Sequence, residues 1–218
     1  MKSLSRATIL APTFLLALAA TGRGQTLGVD FDAGYRSLSA SKSAKAIFGS
    51  SGGATFGGSV QYTLERGPFL RVGLRDFGKT GEKVFVADAT AQVFPLGFPL
   101  EVGITSVDLI AGWRFRLGSK KKPSPFAPYV GVGAEMASYR EESTVAGLVE
   151  TDEQSKTGFQ FVGGLEYRVF ESFAISAEAG YSILSGTIGL GGVSKIYGED
   201  DIGGFRAMGR IGYRFSFK

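Results

Sequence analysis

The chain has 218 residues, of which 33 are glycine and 20% are charged. This length suits a single all-β domain, and no Gly-Pro-Ser tract or heptad repeat points to a linker, collagen or a coiled coil. There is no cysteine and no histidine. Disulfides are therefore excluded, together with Ser-His and Cys-His nucleophilic centres and the commonest zinc ligand.

The N-terminal residues 1–24 predict a signal peptide. Lys2 and Arg6 precede an apolar run over 9–20 that is followed by small residues. The run is shorter than the ~20 residues of a spanning helix, so a membrane anchor is the weaker alternative. Cleavage after Gly24 is preferred over cleavage after Ala19. It leaves 21 basic against 20 acidic residues over 25–218, a balance that gives no reason to expect a nucleic-acid partner.

Alternation of apolar and polar residues runs through the rest of the chain. In the first segment, Val29 and Phe31 fall on one face and Asp30 and Asp32 on the other, as in a β-strand with two different environments. Eight such segments occur, over 27–37, 53–65, 70–75, 107–116, 129–139, 158–169, 173–182 and 205–217. Between the third and fourth, the residues alternate again and predict a β-hairpin extension that turns near Pro95 to Pro99.

The connections differ in length along the chain. Those at 66–68, 118–125 and 170–172 are short, whereas those at 37–51, 140–156 and 184–203 are long. Brief turns on one side and longer loops on the other are typical of outer-membrane barrels. The pattern predicts an all-β fold, an eight-stranded antiparallel transmembrane up-and-down β-barrel, as one domain over 25–218.

The two faces of the strands indicate which one meets lipid. Eight strands enclose an interior just wide enough for side chains, which rings of large aromatic residues would overfill. Aromatic residues also cluster near the strand ends, as at the two interfaces of a bilayer. The predicted interface aromatics are Tyr35, Phe56, Trp113, Phe115, Phe159, Tyr167, Phe173, Tyr181, Phe205 and Tyr213. The alternative is a soluble periplasmic lipocalin-like ligand binder with the aromatic face inside.

The polar face carries a set of acids and arginines of nearly balanced charge. An isolated buried charge costs several kcal/mol, and arginine can bridge several carboxylates, so we predict a lumen plugged by ion pairs. A narrow pore for ions or small solutes is the alternative. The predicted lumen residues are Asp30, Asp32, Arg36, Glu65, Arg71, Arg75, Asp108, Arg114, Arg116, Glu135, Glu166, Arg168, Glu178, Arg206, Arg210 and Arg214.

The last strand carries a further motif of moderate specificity. Arg210, Gly212, Phe215 and Phe217 form an alternating polar, glycine and aromatic ending. With the eight strands, it resembles the small outer-membrane barrels of the OmpA and OmpX type over nearly all of residues 25–218. The resemblance implies that barrel-assembly machinery reads this ending and that the barrel sits in outer-membrane lipid. Lys218 departs from the usual terminal Phe.

The expected function is the one that remains after other functional classes are excluded. Barrel enzymes of the outer membrane known to us use histidine as a base, so no enzyme, cofactor or metal site is expected. Acids in the long loops favour solvated loops, because no D-x-D-x-D-G spacing occurs, and attraction of divalent cations or of a basic partner is the alternative. We therefore expect a monomer with a structural or surface-interaction role, whose loops contact an unidentified extracellular partner.

Overall fold

A closed ring of eight antiparallel strands forms the protein. The computed structural model describes residues 25–87, 92–119, 122–145, 147–189 and 192–217, so the predicted signal peptide lies outside the described residues. The ring order is β1-β10-β9-β8-β7-β4-β3-β2, and β5 pairs only with β6. The elements are β1 (Gln25–Leu38), α1 (Ser41–Phe48), β2 (Gly52–Thr63), β3 (Pro68–Ala87), β4 (Gln92–Arg114), β5 (Gly118–Ser119), β6 (Lys122–Pro123), β7 (Phe126–Val145), β8 (Leu148–Arg168), β9 (Phe173–Ile183), α2 (Val193–Tyr197) and β10 (Gly204–Phe217).

The alternation in the sequence places polar residues inside the barrel and apolar residues outside it. Asp32 and Arg210 are register partners across the β1–β10 seam, and both are buried in the lumen. The neighbouring Phe31 and Ile211 point outward and are 59% and 53% exposed. A lipocalin-like barrel would bury these apolar residues instead, so that alternative is wrong.

One half of the ring is much taller than the other. The adjacent strands β3, β4, β7 and β8 have 20, 23, 20 and 21 residues, whereas β1, β2, β9 and β10 have 14, 12, 11 and 14. About 9–11 residues suffice to cross a bilayer. We call the four long strands the tall wall. The end to which they extend is the loop end, and the opposite end, which holds the connection 64–67, is the turn end.

The predicted turn near Pro95 to Pro99 is wrong. Strands β3 and β4 remain paired up to Ala87 and Gln92, so the connection falls at residues 88–91, outside the described residues. Both prolines lie inside β4, where the register shifts opposite Glu82 and Val84. Proline lacks the N–H that a ladder needs but is tolerated at such an irregularity, so here it marks a bulge rather than a turn.

The predicted long loop over 140–156 is also wrong. Strand β7 continues to Val145 and β8 begins at Leu148, and the two stay paired along this whole stretch. Charged side chains pair along and across the hairpin, with Arg140 2.6 Å from Glu142 on the same strand and 3.6 Å from its register partner Glu153 on β8. The run of acids resembled a solvated loop in the sequence, whereas in the structure it belongs to the tall wall.

Two short helices fill the loop end. Helix α1 lies in the β1–β2 connection and α2 in the β9–β10 connection, segments in which the sequence predicted only loops. Both pack on the inner face of the tall wall, and neither is long and apolar enough to cross a membrane. The buried residues of this loop-end cap are Leu38, Ala40, Ala44, Ile47, Phe77, Val84, Val86, Leu100, Val102, Ile104, Ala137, Tyr139, Leu184, Ile188, Val193 and Ile202.

The carboxylate of Glu199, distant in the sequence, caps the N-terminus of helix α1. Its N-cap residue, Ala40, has no side chain that can accept a hydrogen bond. Glu199 takes this role: its carboxylate accepts from the backbone N–H groups of Lys42 and Ser43, both at 2.9 Å, and from the Ser43 hydroxyl at 2.7 Å. Partial burial acts to raise the pKa of Glu199, but the hydrogen bonds from Ser43 and Lys42 outweigh it and lower the pKa.

Acidification is expected to loosen helix α1. Because the pKa of Glu199 is lower in the folded protein than in the unfolded chain, its contribution to stability is present above the unfolded value of about 4.3 and is lost as the pH falls through the folded value. Hydrogen exchange of residues 41–48, corrected for intrinsic rates, should therefore accelerate below about pH 4. The variant Glu199→Gln should show fast exchange without this pH step, and Asp200→Asn should behave like the wild type. A wild-type step retained in Glu199→Gln would contradict the assignment.

Candidate functional site

Arg210 is the centre of the buried charges in the lumen. Its guanidinium donates to Asp32 from Nε and to Asp30 from Nη2, both at 2.9 Å. It also donates to Glu178 at 3.3 Å and to the Ser59 hydroxyl at 2.7 Å. One arginine thus joins three carboxylates from strands β1 and β9, as the planar fork of guanidinium donors allows.

Toward the turn end, the pairing continues through two further arginines. Arg214 donates to Asp30 at 2.7 Å and to Glu166 at 2.9 Å. The other oxygen of Glu166 lies 2.6 Å from Arg114. Across the lumen, Arg71 holds Glu178 through both of its terminal nitrogens, at 2.5 and 2.9 Å. Charge-assisted bidentate bonds of this kind are the strongest that side chains form.

Toward the loop end, the same pairing reaches the cap. Arg75 contacts Asp32 at 3.3 Å and also Asp108. Arg206 lies 3.7 Å from both Asp108 and Glu135. Glu135 accepts from Arg36 at 3.1 Å, completing an unbroken series of ion pairs along the lumen.

These residues form one lumen network of seven arginines and six acids. Almost all are buried, and the network carries a formal excess of a single positive charge. Tyr129 adds a neutral donor to Glu178 at 2.9 Å, and Arg206 donates to Gln160. The charged members are Arg36, Arg71, Arg75, Arg114, Arg206, Arg210, Arg214, Asp30, Asp32, Asp108, Glu135, Glu166 and Glu178.

Three residues predicted for the lumen lie elsewhere or at its margin. Glu65 is exposed in the β2–β3 turn, and Arg116 is exposed beyond the end of β4. Alternation was extended past the strand ends for both, where chain turns break the parity. Arg168 ends β8 at the turn-end mouth, half-buried, with no carboxylate within 4.0 Å among the described residues.

Glycine provides the space that the network needs. A Cβ at Gly28 would lie 2.6 Å from Arg214 Nη1, and one at Gly212 would overlap the Asp30 carboxylate. A larger residue at either position would displace an ion pair. Gly212 of the predicted C-terminal signal therefore has a packing role, while Phe215 and Phe217 point outward, 47% and 37% exposed. Recognition of this ending by assembly machinery stays a prediction.

All ten predicted interface aromatics lie on the outward side, with Phe173 half-buried. At the turn end, Phe126 and Tyr167 contact each other with ring centroids 4.9 Å apart, as do Tyr213 and Phe215 at 4.8 Å. At the loop end, Phe205 is the register partner of Tyr181. The outward aromatics therefore lie near both ends of the apolar band, the positions that membrane interfaces select.

Some interior residues were not predicted from the sequence. Phe69, Ile110, Tyr129 and Val162 form a small apolar cluster in the lumen beside Arg71 and Glu178. Their inward parity was readable from the sequence, but the argument that aromatic rings overfill the interior gave no place to Phe69 or Tyr129. The described residues hold no group of three or more acids, histidines or cysteines arranged to bind a metal ion.

Comparison with known proteins agrees with this architecture. The family model described as outer membrane protein beta-barrel domain matches residues 8–216. The chain belongs to this family. A comparison with curated protein sequences gives no match. As a member of the outer membrane protein beta-barrel domain family, the protein is located in the outer membrane, in contact with its lipid.

Solved structures show the same fold at low identity. The outer membrane protein OprG from Pseudomonas aeruginosa is 13% identical with a TM-score of 0.56, and the match covers 89% of this chain and 97% of that one. A major outer membrane protein from Thermus thermophilus is 12% identical with a TM-score of 0.55, covering 88% and 99%. Ail, the attachment invasion locus protein of Yersinia pestis, is 17% identical with a TM-score of 0.51, covering 89% and 100%.

Replacing the central arginine is expected to destabilise the barrel. In Arg210→Gln, Asp30, Asp32 and Glu178 lose a shared cation while remaining buried, which should lower the free energy of unfolding by about 3–5 kcal/mol. Urea unfolding of the folded protein in detergent measures this. Arg140→Gln, which removes two exposed ion pairs, should change the free energy of unfolding by less than about 1 kcal/mol. Equal midpoints for wild type and Arg210→Gln would contradict a structural role for the lumen network.

Proposed function

We propose that this protein is a closed, non-catalytic outer-membrane barrel that presents a rigid binding surface at its loop end, which faces the cell exterior. The observation that carries the proposal is the double closure of the barrel. The lumen network fills its middle, and the apolar loop-end cap covers the network, with Arg36 contacting the backbone oxygen of Ile202 in the cap at 3.5 Å. Ions would have to cross a paired charge network and then an apolar core.

The outer face of the tall wall supports the binding role. Outward apolar residues facing lipid end at the register partners Leu74, Val107 and Met136. Beyond them the outward residues are polar, and Thr105 donates to Asp76 at 2.8 Å. This polar band separates the lipid-facing surface from the far end of the wall.

Apolar side chains return at that far end, which we call the wall tip. Phe85 and Phe94 are register partners with ring centroids 6.4 Å apart, and they are 58% and 43% exposed. Leu148 and Val149 at the end of the β7–β8 hairpin are 73% and 61% exposed. Exposed apolar groups above a polar band have no lipid to contact, and such patches mark interaction sites. The partner would therefore offer an apolar surface.

Closure predicts a silent barrel. Purified protein inserted into planar bilayers should give no reproducible conductance steps in KCl, because neither the lumen network nor the loop-end cap leaves a continuous aqueous path. A wide porin prepared in the same detergent serves as the positive control. Steps of uniform size that scale with KCl concentration would overturn the closed barrel and favour a pore.

Surface presentation predicts adhesion that depends on the wall tip. Cells displaying the wild type should bind octyl-coated beads, and Phe85→Ser/Phe94→Ser should reduce this binding several-fold by removing exposed apolar area. Thr144→Ser, an exposed change on the same wall, is the control. Heat-modifiable migration on gels should confirm that all three barrels fold. Undiminished binding by the double variant would contradict the assigned surface.

A further inference from the structure

A cavity opens at the turn end of the barrel, away from the loop-end cap. Its volume is about 720 Å³, and the ends of β4, β7, β8 and β10 surround it. Three arginines line it, namely Arg114, Arg116 and Arg168. A smaller cavity of about 590 Å³ shares Arg114 and Arg116 and is also lined by Trp113 and Phe115. The arginines therefore lie between the lumen mouth and the outward aromatic residues.

The charge of this mouth is not balanced. Glu166, the nearest lumen acid, already pairs with Arg214 at 2.9 Å and with Arg114 at 2.6 Å. Within the described residues, neither Arg116 nor Arg168 has a carboxylate within 4.0 Å. Glu171 is the one acid among the described residues lining the larger cavity, against three arginines of which Arg114 is already paired, and the smaller cavity adds Glu65 and Arg66.

Two of the arginines that line the cavity have a donor without an acceptor. The Nε atoms of Arg114 and Arg168 are buried and make no hydrogen bond to the described residues. Buried polar groups usually have a partner, and one without it calls for an explanation. Hydroxyl groups of Thr26, Thr63 and Ser216 also line the cavity and can add neutral donors.

We infer that the turn-end mouth is an anion site that binds a phosphate group through Arg114, Arg116 and Arg168. Guanidinium groups match phosphate oxygens in geometry and charge, and three arginines that line one cavity offer more donors than a single planar carboxylate can accept. A phospholipid head group and a free phosphate both carry this chemistry.

Calorimetric titration of the full folded protein in a sugar-based, phosphate-free detergent tests the site. Inorganic phosphate, added at constant ionic strength against chloride, should bind saturably. Arg116→Gln and Arg168→Gln should each weaken binding about tenfold or more, the loss expected for a charged hydrogen bond. Arg140→Gln at the loop end removes the same charge and should bind like the wild type. Arg116 is exposed and outside the lumen network, so its variant tests the site without endangering the fold.

A second titration with short-chain phosphatidylglycerol distinguishes the sources. Binding at least about tenfold tighter than inorganic phosphate, and lost in both variants, would identify a lipid head group. Binding of inorganic phosphate alone, with the same variant losses, would identify a soluble phosphate. Absence of saturable binding for both probes, or affinities unchanged in Arg116→Gln and Arg168→Gln, would overturn the inference. These titrations do not depend on whether the barrel conducts ions, so they test the anion site separately from the proposed closed barrel.

Discussion

Pairing of buried charge in a narrow lumen is the constraint on which the rest of the structure depends. An eight-stranded barrel has room for side chains and little else, and a lone ion there is strongly unfavourable. Arg210 avoids this cost by pairing with Asp30, Asp32 and Glu178. Because polar contacts satisfy the buried charges, the outward apolar residues of the strands are free to face lipid.

Charge pairing in turn dictates where small residues occur. Gly28 leaves room for the guanidinium of Arg214, and Gly73 leaves room for that of Arg75. Above the network the requirement ends, and the inner face of the tall wall changes to apolar residues such as Val102 and Ile104. That apolar face needs a cover, and α1 and α2 provide it. The tall wall and the two helices therefore depend on each other. Glu199 joins the β9–β10 connection to the β1–β2 connection through its hydrogen bond from Ser43.

Alternation was sufficient to predict the barrel, its lipid-facing side and most of the lumen network, because parity is a local property of a strand. Predictions from alternation failed where the chain is not a regular strand. Glu65 and Arg116 lie past strand ends, where parity has no meaning. Pro95 and Pro99 looked like turn residues because a bulge and a turn share the same composition. The loop-end cap could not be predicted, since its contacts join segments as distant as Ile47 and Ile188.

The seam between the first and last strands gives the lumen network a further property. Asp30 and Asp32 on β1 find their partners Arg214 and Arg210 on β10, 184 and 178 residues away. A chain without β10 would retain six lumen acids but only four of the seven arginines, leaving a net negative interior. The final strand supplies three of the seven arginines and so brings the charges inside the barrel to within one of balance. The lumen network thereby depends on closure of the ring, because a chain that lacks β10 leaves Asp30 without either of its arginine partners.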